Sequence, residues 1–340
     1  MRQSISAAHR GVQGSVPRIT VYRSAQEMEK LRPLWKFIQE RRPGTIFQEF
    51  DWNLLAARAF QGREAPFVVC VEGSYGAAIV PAVQRSDPDE FRLLGEELFD
   101  YRGFLWMGDK EILRTALARL GQEQRPLEII AVRECDLPAA QKEAAPEEFA
   151  AIPFSAAPCV TCKDISADEF ASAHHRLGRN LRRLQRLGFE ARIHTAENLE
   201  LLRTIYEKKA GQDPASLFHD PRRVEFLARA ARLQPQRCEV FTLECGSDLA
   251  AALVTFRDGA ARRFYTGWFD PSLAKHSPAL SLIYEATRRS LNDGLDCDYM
   301  TGEQPYKLRI ATGSMPLYRL RATRGQLSAM DDKSALRMAG

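Results

Sequence analysis

An order of secondary-structure signals that recurs along the chain is the feature that most constrains its fold. In the second half, hydrophobic periodicity predicts a strand, two helices, three strands, a long helix and two further strands. The three central strands are separated by Gly246 to Asp248 and by Asp258-Gly259, whose turn chemistry suits tight hairpins. Ser277 and Pro278 mark the start of the long helix, and Gly294 marks its end. The predicted segments are 188–193, 197–210, 222–233, 239–245, 249–257, 261–268, 278–293, 297–301 and 317–323.

The first half shows the same order of signals. A short stretch from Val71 to Val80 even resembles the stretch from Glu244 to Val254 in sequence. The recurrence predicts an α/β (α+β) protein made of two similarly ordered halves. The predicted segments are strand 18–23, helices 26–41 and 51–61, strands 67–72, 77–83 and 91–94, helix 110–121 and strand 127–132.

The length of the chain also favours two domains. The 340 residues, 45% of them hydrophobic, exceed what one core normally spans. The segment 134–158 is rich in Ala, Pro and Glu, so we place the domain junction near residue 150. The predicted organisation is a disordered leader at 1–17, a first domain at 18–150, a second domain at 151–323 and a loose tail at 324–340.

Several classes of protein are disfavoured by composition. The longest apolar runs, such as 77–83 and 249–254, are far shorter than the ~20 residues that span a bilayer. The seven cysteines are scattered and odd in number, which fits a reducing cytoplasm better than a disulfide framework. Cys159 and Cys162 are the only close pair and lack further ligands at zinc spacing, so we expect no metal. A net charge of +4 does not by itself demand a nucleic-acid partner.

One predicted helix concentrates basic residues. It begins at Ser166, with Glu169 completing a capping box, and it ends at Gly188. Two interpretations remain open: a solvated surface helix, or an anion site whose guanidinium groups bind the phosphates of a nucleotide-bearing donor. Aromatic residues that could stack on bases do not interleave with the arginines, which disfavours nucleic acid. The apolar stripe is Phe170, Leu177, Leu181, Leu184 and Leu187, and the basic face is Arg176, Arg179, Arg183 and Arg186.

The loop from Asp270 to Ala279 precedes the long helix. A helix start leaves backbone N–H groups free, so with Lys275 beside it the loop can seat a pyrophosphate or a carboxylate. The simpler alternative is a connector that ends in an N-cap at Ser277. A lone loop histidine such as His276 is more often structural, and we do not assign it to the site.

A polar group lies at the end of the strand 297–301 and in the loop after it. Acylation of an amine needs a base, a group that stabilises the oxyanion, and an acid for the leaving group. Glu303, Lys307 and Tyr306 can fill these roles in that order, with Asp298 at the strand end. The alternative is a polar turn with a buried aspartate cap and a surface ion pair.

Taken together, these residues resemble the CelD-like or Fem-like branch of the GNAT acyltransferases. The first half resembles the degenerate GNAT-like domain of that branch more loosely. The resemblance in the second half rests on Arg179 to Arg183 with Gly188, on Tyr265 to Asp270, on Ser277-Pro-Ala279 and on Asp298 with Gly302 to Lys307. In the first half it rests on Phe50-Asp-Trp52, Gly76 to Pro81 and Asp100-Tyr101.

The resemblance implies two GNAT-like domains, each a mixed, mostly antiparallel sheet flanked by helices, with the acceptor between them. It implies that Lys307 stabilises the tetrahedral intermediate and that the helix start faces the donor. The usual pyrophosphate motif, Arg/Gln-x-x-Gly-x-Gly/Ala, is absent before that helix. The implied donor or phosphate ligands are Arg176, Arg179, Arg183, Lys275, Ser277 and Ala279, and the implied substrate ligands are Tyr265, Gly267, Asp270, Asp100 and Tyr101.

We therefore expect a cytoplasmic N-acyltransferase without a permanently bound cofactor. Its donor is a thioester, acyl-CoA or acyl carrier protein, and its acceptor is an amine on a small metabolite, amino sugar or envelope or polysaccharide precursor. Aminoacyl-tRNA-dependent transfer of the Fem type is one alternative, although no inserted helical arm of coiled-coil length occurs here. A non-catalytic module that binds carbohydrate or RNA is the other, against which the intact Glu303, Tyr306 and Lys307 argue. The sequence leaves the oligomeric state open.

Overall fold

The structure, a computed structural model, describes residues 16–95, 97–136 and 150–330. Residues 1–15, most of the predicted leader, and 331–340 of the predicted tail lie outside the described residues. The first half contains β1 (Arg18–Tyr22), α1 (Ala25–Met28), α2 (Arg32–Arg41), α3 (Phe50–Ala59), β2 (Ala65–Gly73), β3 (Gly76–Ser86), β4 (Asp89–Leu93), β5 (Leu105–Gly108), α4 (Lys110–Gly121) and β6 (Leu127–Arg133).

The second half repeats this order. Its elements are β7 (Ala150–Val160), α5 (Ala167–Ala173), α6 (His175–Arg186), β8 (Glu190–Thr195), α7 (Leu199–Gln212), α8 (Pro221–Leu233), β9 (Cys238–Cys245), β10 (Asp248–Asp258), β11 (Ala261–Phe269), α9 (Pro278–Asn292), β12 (Asp296–Asp298), α10 (Pro305–Ile310), β13 (Gly313–Ala322) and α11 (324–330). The predicted α/β (α+β) class is confirmed, and the predicted segments match these elements to within a few residues. Strand β7 was missed, because it starts within the Ala- and Pro-rich segment that was read as the domain junction, and its pairing with the distant β13 is not visible in the sequence. The short elements β5 and α10 were also missed, because four to six residues carry little periodicity.

The described strands form one continuous, mostly antiparallel sheet. Its order is β1-β2-β3-β4-β6-β13-β7-β12-β11-β10-β9-β8, and β5 pairs with β3 off this path. The pairs β4–β6 and β11–β12 are parallel. Strand β13 lies between β6 and β7, with Tyr318 opposite Val132 on one side and Pro153 on the other. The last of the described strands, β13, therefore joins the sheets of both halves.

An aromatic core also crosses between the halves. The ring of Trp52 on α3 lies 6.0 Å from that of Phe226 on α8 and 5.2 Å from that of Phe256 on β10. All three side chains are buried. Apolar burial contributes roughly 25 cal/mol per Å², so contacts of this kind hold the two halves together as one packed body.

The predicted basic helix is two helices. The capping box of Ser166 and Glu169 is confirmed at the start of α5, but the chain breaks at His174, where φ is −108° and ψ is 30°. Leu187, predicted in the apolar stripe, is 52% exposed because α6 ends at Arg186 and Gly188 turns the chain with φ of 93°. The four other members of the stripe are buried.

The predicted loose tail is wrong for residues 324–330, which form α11. Leu327 and Met330 are fully buried there against the core under α4. The contact is close at Gly121, where an added Cβ would lie 2.5 Å from the backbone of Leu327. Hydrophobic periodicity is hard to detect in so short a helix, and its burial depends on the distant α4.

Within the described ranges, no helix combines the length and apolar character needed to cross a membrane. All seven cysteines are described, and all are free.

Candidate active site

The candidate site forms where β11 and β12 separate. These parallel strands pair from Ala261 opposite Asp296 to Arg263 opposite Asp298, where β12 ends while β11 continues to Phe269. A pocket of about 390 Å³, here called the fork pocket, occupies the space between the separated strands. Its lining is mostly apolar. Its walls come from β11, the start of α9, α10 and the end of α7. Predicted site residues in the wall are Tyr265, Gly267, Ser277, Ala279, Tyr306 and Lys307.

A β-bulge places Tyr265 in the pocket wall. Opposite β10, the register shifts so that Val254 faces Thr266 and Thr255 faces Phe264, which leaves Tyr265 between them. The Tyr265 hydroxyl donates to the Leu98 carbonyl of the first half over 2.9 Å. The bulge therefore turns this side chain toward the junction of the halves while its strand lines the pocket.

The start of α9 borders the same pocket, as predicted, but not through a side-chain cap. Ser277 occupies the N-cap position with φ of 51° and ψ of 54°, and its hydroxyl makes no capping bond. A left-handed conformation is unfavourable for a non-glycine residue and persists where the surroundings hold it. The N–H groups of the first turn, starting at Ala279, are therefore not capped by the serine side chain, and this turn lines the pocket.

Lys307 is the buried cation of the site. On α10 it is 6% exposed, and its Nζ donates to the carbonyls of Met300 over 3.2 Å and Thr301 over 2.8 Å. Burial lowers the pKa of Lys307 to about 8, although Asp100 and Asp298 act in the opposite direction. The neighbouring Tyr306 is 41% exposed at the pocket rim, and burial of its hydroxyl end raises its pKa.

Asp298 is engaged on both carboxylate oxygens. Oδ1 accepts from the Tyr101 hydroxyl over 2.7 Å and from the Met300 N–H over 2.8 Å, and Oδ2 forms an ion pair with Arg263. Arg263 also donates to Asp258 over 2.6 Å, and Asp258 accepts from the Ile46 N–H of the first half over 2.9 Å. The geometry gives Asp298 a structural task in place of the predicted catalytic one, as the alternative of a buried aspartate cap anticipated.

Asp100 does not line the pocket, but its carboxyl group lies close enough to Lys307 for their charges to interact. It is partly buried beside Lys307, and its backbone carbonyl accepts from the Thr301 hydroxyl over 3.2 Å. Burial raises the pKa of Asp100 to about 6, Asp298 adds to that rise, and Lys307 opposes it. The sequence predicted Asp100 as a substrate ligand, but a carboxyl group that titrates near neutrality also suits a base.

Other predicted site residues lie elsewhere. Tyr101 is fully buried and does not line the pocket, so its predicted contact with substrate has no support from its position. Glu303, the predicted base, is exposed and does not line the pocket. Asp270 accepts from the Ser272 N–H over 2.8 Å and starts the short helix Pro271–His276, while Lys275 is exposed; neither lines the pocket.

The arginine face also lies outside the pocket. Arg176, Arg179 and Arg183 are exposed on α6, and they form no ion pair with the described part of the chain. Helix α6 packs against α9, whose first turn lines the pocket, and against the short helix before it. The face therefore lies beside α9 without lining the pocket.

Arg263 is the important residue that the sequence analysis missed. A signal was present, because Arg262 and Arg263 stand together in a segment predicted as a strand near the core. A charged residue inside such a strand requires a buried partner. The sequence could not identify Asp298 as the partner of Arg263, because the two residues are brought together only by the pairing of β11 with β12.

Comparison with known proteins gives a family match in the second half. Residues 171–308 match the family model of the acetyltransferase (GNAT) domain. A search of curated proteins finds no match.

Solved structures share the fold along nearly the whole chain. A conserved protein of unknown function from Bacteroides thetaiotaomicron is 11% identical with a TM-score of 0.60, over 90% of this chain and 100% of the other. FemX is 12% identical with a TM-score of 0.58, over 92% and 99%. The L-PGS structure from Bacillus licheniformis is 9% identical with a TM-score of 0.56, over 88% and 95%.

Replacing Asp298 should mainly affect stability. In Asp298→Ala, Arg263 stays buried with one partner fewer, and we expect the free energy of unfolding to fall by about 3 to 5 kcal/mol. The control Glu303→Ala should stay within about 0.5 kcal/mol of the parent, because its side chain is exposed. Urea denaturation of the three proteins measures this, and equal midpoints would contradict the structural role of Asp298.

Proposed function

We propose that this chain, whose residues 171–308 match the family model of the acetyltransferase (GNAT) domain, is an acyltransferase that transfers an acyl group from a thioester to an amine. The observation that carries this proposal is the fork pocket. It brings Tyr265, the start of α9 and Lys307 together, although more than 40 residues of sequence separate the first from the last. The mostly apolar walls suit an acyl chain and its thioester arm, and the free N–H groups of α9 suit an anionic group of the donor.

The interacting charges of Lys307, in the pocket wall, and Asp100, behind it, support a defined proton path. The amine attacks the thioester carbonyl, a C–N bond forms, and the protonated Lys307 stabilises the oxyanion of the tetrahedral intermediate. Asp100 accepts the proton that the amine loses. The C–S bond then breaks, and the carboxylic acid formed on Asp100 returns the proton to the thiolate, because a thiol has the higher ordinary pKa. The products are an amide and a free thiol.

We propose that Tyr306 assists the leaving group by hydrogen bonding and is not the acid that the sequence predicted. Burial raises the pKa of its phenol, which makes it a poorer proton source than the acid form of Asp100. Its position on the pocket rim allows its O–H to donate a hydrogen bond to the departing sulfur.

The acceptor side of the proposal rests on the first half. Asp100 reaches Lys307 from the first half, so an acceptor amine between them enters at the junction of the two halves. We propose a small metabolite, an amino sugar or an envelope or polysaccharide precursor as the acceptor. Seven unpaired cysteines fit a cytoplasmic site of action, where thiols stay reduced.

Aminoacyl-tRNA-dependent transfer is the second candidate. The exposed arginine face of α6 suits an aminoacyl-tRNA donor as well as it suits an acyl carrier protein, because both donors are polyanionic. FemX and the L-PGS share the fold at 12% and 9% identity, which supports the architecture and not a donor. A comparison of donors separates the two candidates.

Lys307 should be essential for turnover. We expect Lys307→Met to lower kcat/KM by about 10²- to 10³-fold, since it removes the group that stabilises the oxyanion. The control Glu303→Gln should stay within about twofold, because Glu303 does not line the pocket. Steady-state acyl transfer measures both variants, with circular dichroism to confirm folding. A Lys307→Met enzyme as active as the parent would overturn the proposal.

The pH profile of kcat/KM should be bell-shaped. Activity rises as Asp100 loses its proton near pH 6 and falls as Lys307 loses its proton near pH 8. Asp100→Asn should lower kcat by about 10²-fold or more and remove the acidic limb, leaving the alkaline limb in place. The measurement is the pH profile of kcat/KM for the parent and the variant, and an acidic limb that survives in Asp100→Asn would exclude Asp100 as the base.

The arginine face should matter for the donor alone. We expect Arg179→Gln/Arg183→Gln to raise the donor KM about three- to tenfold, since each exposed ion pair contributes up to about 1 kcal/mol. The effect should vanish at high salt because screening removes it. Arg18→Gln/Arg41→Gln removes the same charge from the first half and is the matched control.

The donors to compare are acyl-CoA, an acyl carrier protein and aminoacyl-tRNA. The donor whose KM responds to the variant and to salt is the one that the arginine face contacts. If no KM responds, α6 is a solvated surface helix.

A further inference from the structure

One segment of the first half reaches into the second. Residues 97–102, here called the crossing segment, follow β4 and form hydrogen bonds across the junction, three of them close to the candidate site. The Leu98 carbonyl accepts from Tyr265, the Asp100 carbonyl accepts from Thr301, and the Tyr101 hydroxyl donates to Asp298. From its own half, the segment is held by Gln48, whose Nε2 donates to the Tyr101 carbonyl over 2.7 Å.

The bond from Tyr101 leads directly to the catalytic lysine. Oδ1 of Asp298 is shared between the Tyr101 hydroxyl and the N–H of Met300. Met300 is a buried, non-glycine residue with φ of 65°, a left-handed conformation that needs support from its surroundings. The carbonyls of Met300 and Thr301 in this turn are the acceptors of Lys307 Nζ.

We propose that Tyr101 is a positioning residue for Lys307: its hydroxyl fixes the Asp298 carboxylate, which holds the left-handed turn at Met300 that aims two carbonyls at the lysine. The first half thereby completes the catalytic site instead of contributing only to acceptor choice. This inference rests on the proposed function for the role of Lys307 in turnover, but not for the position of the lysine.

The hydroxyl can be separated from the packing of the ring. The Tyr101 ring lies 6.2 Å from that of Phe47, and the Arg263 guanidinium lies 5.3 Å from its centre. A phenylalanine keeps both contacts and keeps the region dry. Asp298 would retain Arg263 and the Met300 N–H, so the fold should survive while the turn becomes less constrained.

The direction of the effect on Lys307 follows from its surroundings. A looser turn weakens two carbonyl acceptors that favour the ammonium form, while burial, which disfavours it, is unchanged. The alkaline limb should therefore move to lower pH. The charged and titratable groups that face Lys307 are Asp100, Asp298, Lys209, Tyr265, Tyr299 and Tyr306, and none of them is altered by the substitution.

The test compares Tyr101→Phe with Tyr206→Phe. Tyr206 is also fully buried, and its hydroxyl has no hydrogen-bond partner in the described part of the chain. We expect Tyr101→Phe to lower kcat about tenfold, a size that fits one hydrogen bond to a charged acceptor, with the donor KM within about twofold. Tyr206→Phe should leave kcat and the pH profile as in the parent.

A second readout does not depend on turnover. Titration of the Lys307 side chain by NMR, with its signal assigned through Lys307→Met, should show a lower pKa in Tyr101→Phe and no change in Tyr206→Phe. If Tyr101→Phe is too unstable to study, Thr301→Val removes the neighbouring bond to the crossing segment and should act in the same direction. An unchanged lysine titration, or one that moves to higher pH, overturns the inference. A shifted titration in an enzyme that does not need Lys307 would instead refute the proposed function alone.

Discussion

The junction of the two halves depends on one buried carboxylate, that of Asp298. Burying Asp298 is unfavourable unless its charge is paired and its oxygens are filled, and removal of one partner leaves an uncompensated charge. The donors come from three places: Arg263 on β11, the Met300 turn, and Tyr101 of the first half. The two halves cannot separate at this point without exposing or stranding the charge, so the junction is fixed where the candidate chemistry occurs.

The sheet and the aromatic core make that requirement compatible with an open pocket. Strand β13 continues the sheet from one half into the other, and Trp52 packs against rings of the second half. These contacts hold the backbone while β12 ends early, at Asp298, and β11 continues beyond it. The gap that this leaves is not a packing defect. It is the space in which Lys307 and the first turn of α9 face each other.

The sequence allowed the element order and the position of Lys307 to be predicted because both are encoded locally. Hydrophobic periodicity and hairpin turns identify strands and helices, and the loop after Asp298 carries a compact motif. The partners of Asp298 are not local: Tyr101 is 197 residues away. Non-local structure also explains three other differences from the sequence-based prediction. Glu303 was predicted as the base although its side chain is exposed, Ser277 was predicted as a side-chain cap, and α11 was predicted as a loose tail. Each outcome depends on the direction of a side chain or on a distant surface, which spacing along the chain does not specify.

The arginine face lies outside the pocket, so the proposed recognition of the donor is spatially separate from the proposed chemistry, whereas the sequence suggested one common donor site. Under the proposed function, groups in the pocket wall would act on the reacting thioester, whereas exposed charges on α6 would act at longer range on the carrier of the thioester. Lys307, by contrast, is buried and largely protected from salt. In that proposal, donor choice and chemistry would reside on different elements, α6 on one side and α10 on the other, with α9 between them. A change of carrier would then need new charges on the surface of α6 and no change in the pocket, because a site and the surface beside it can vary separately on one fold.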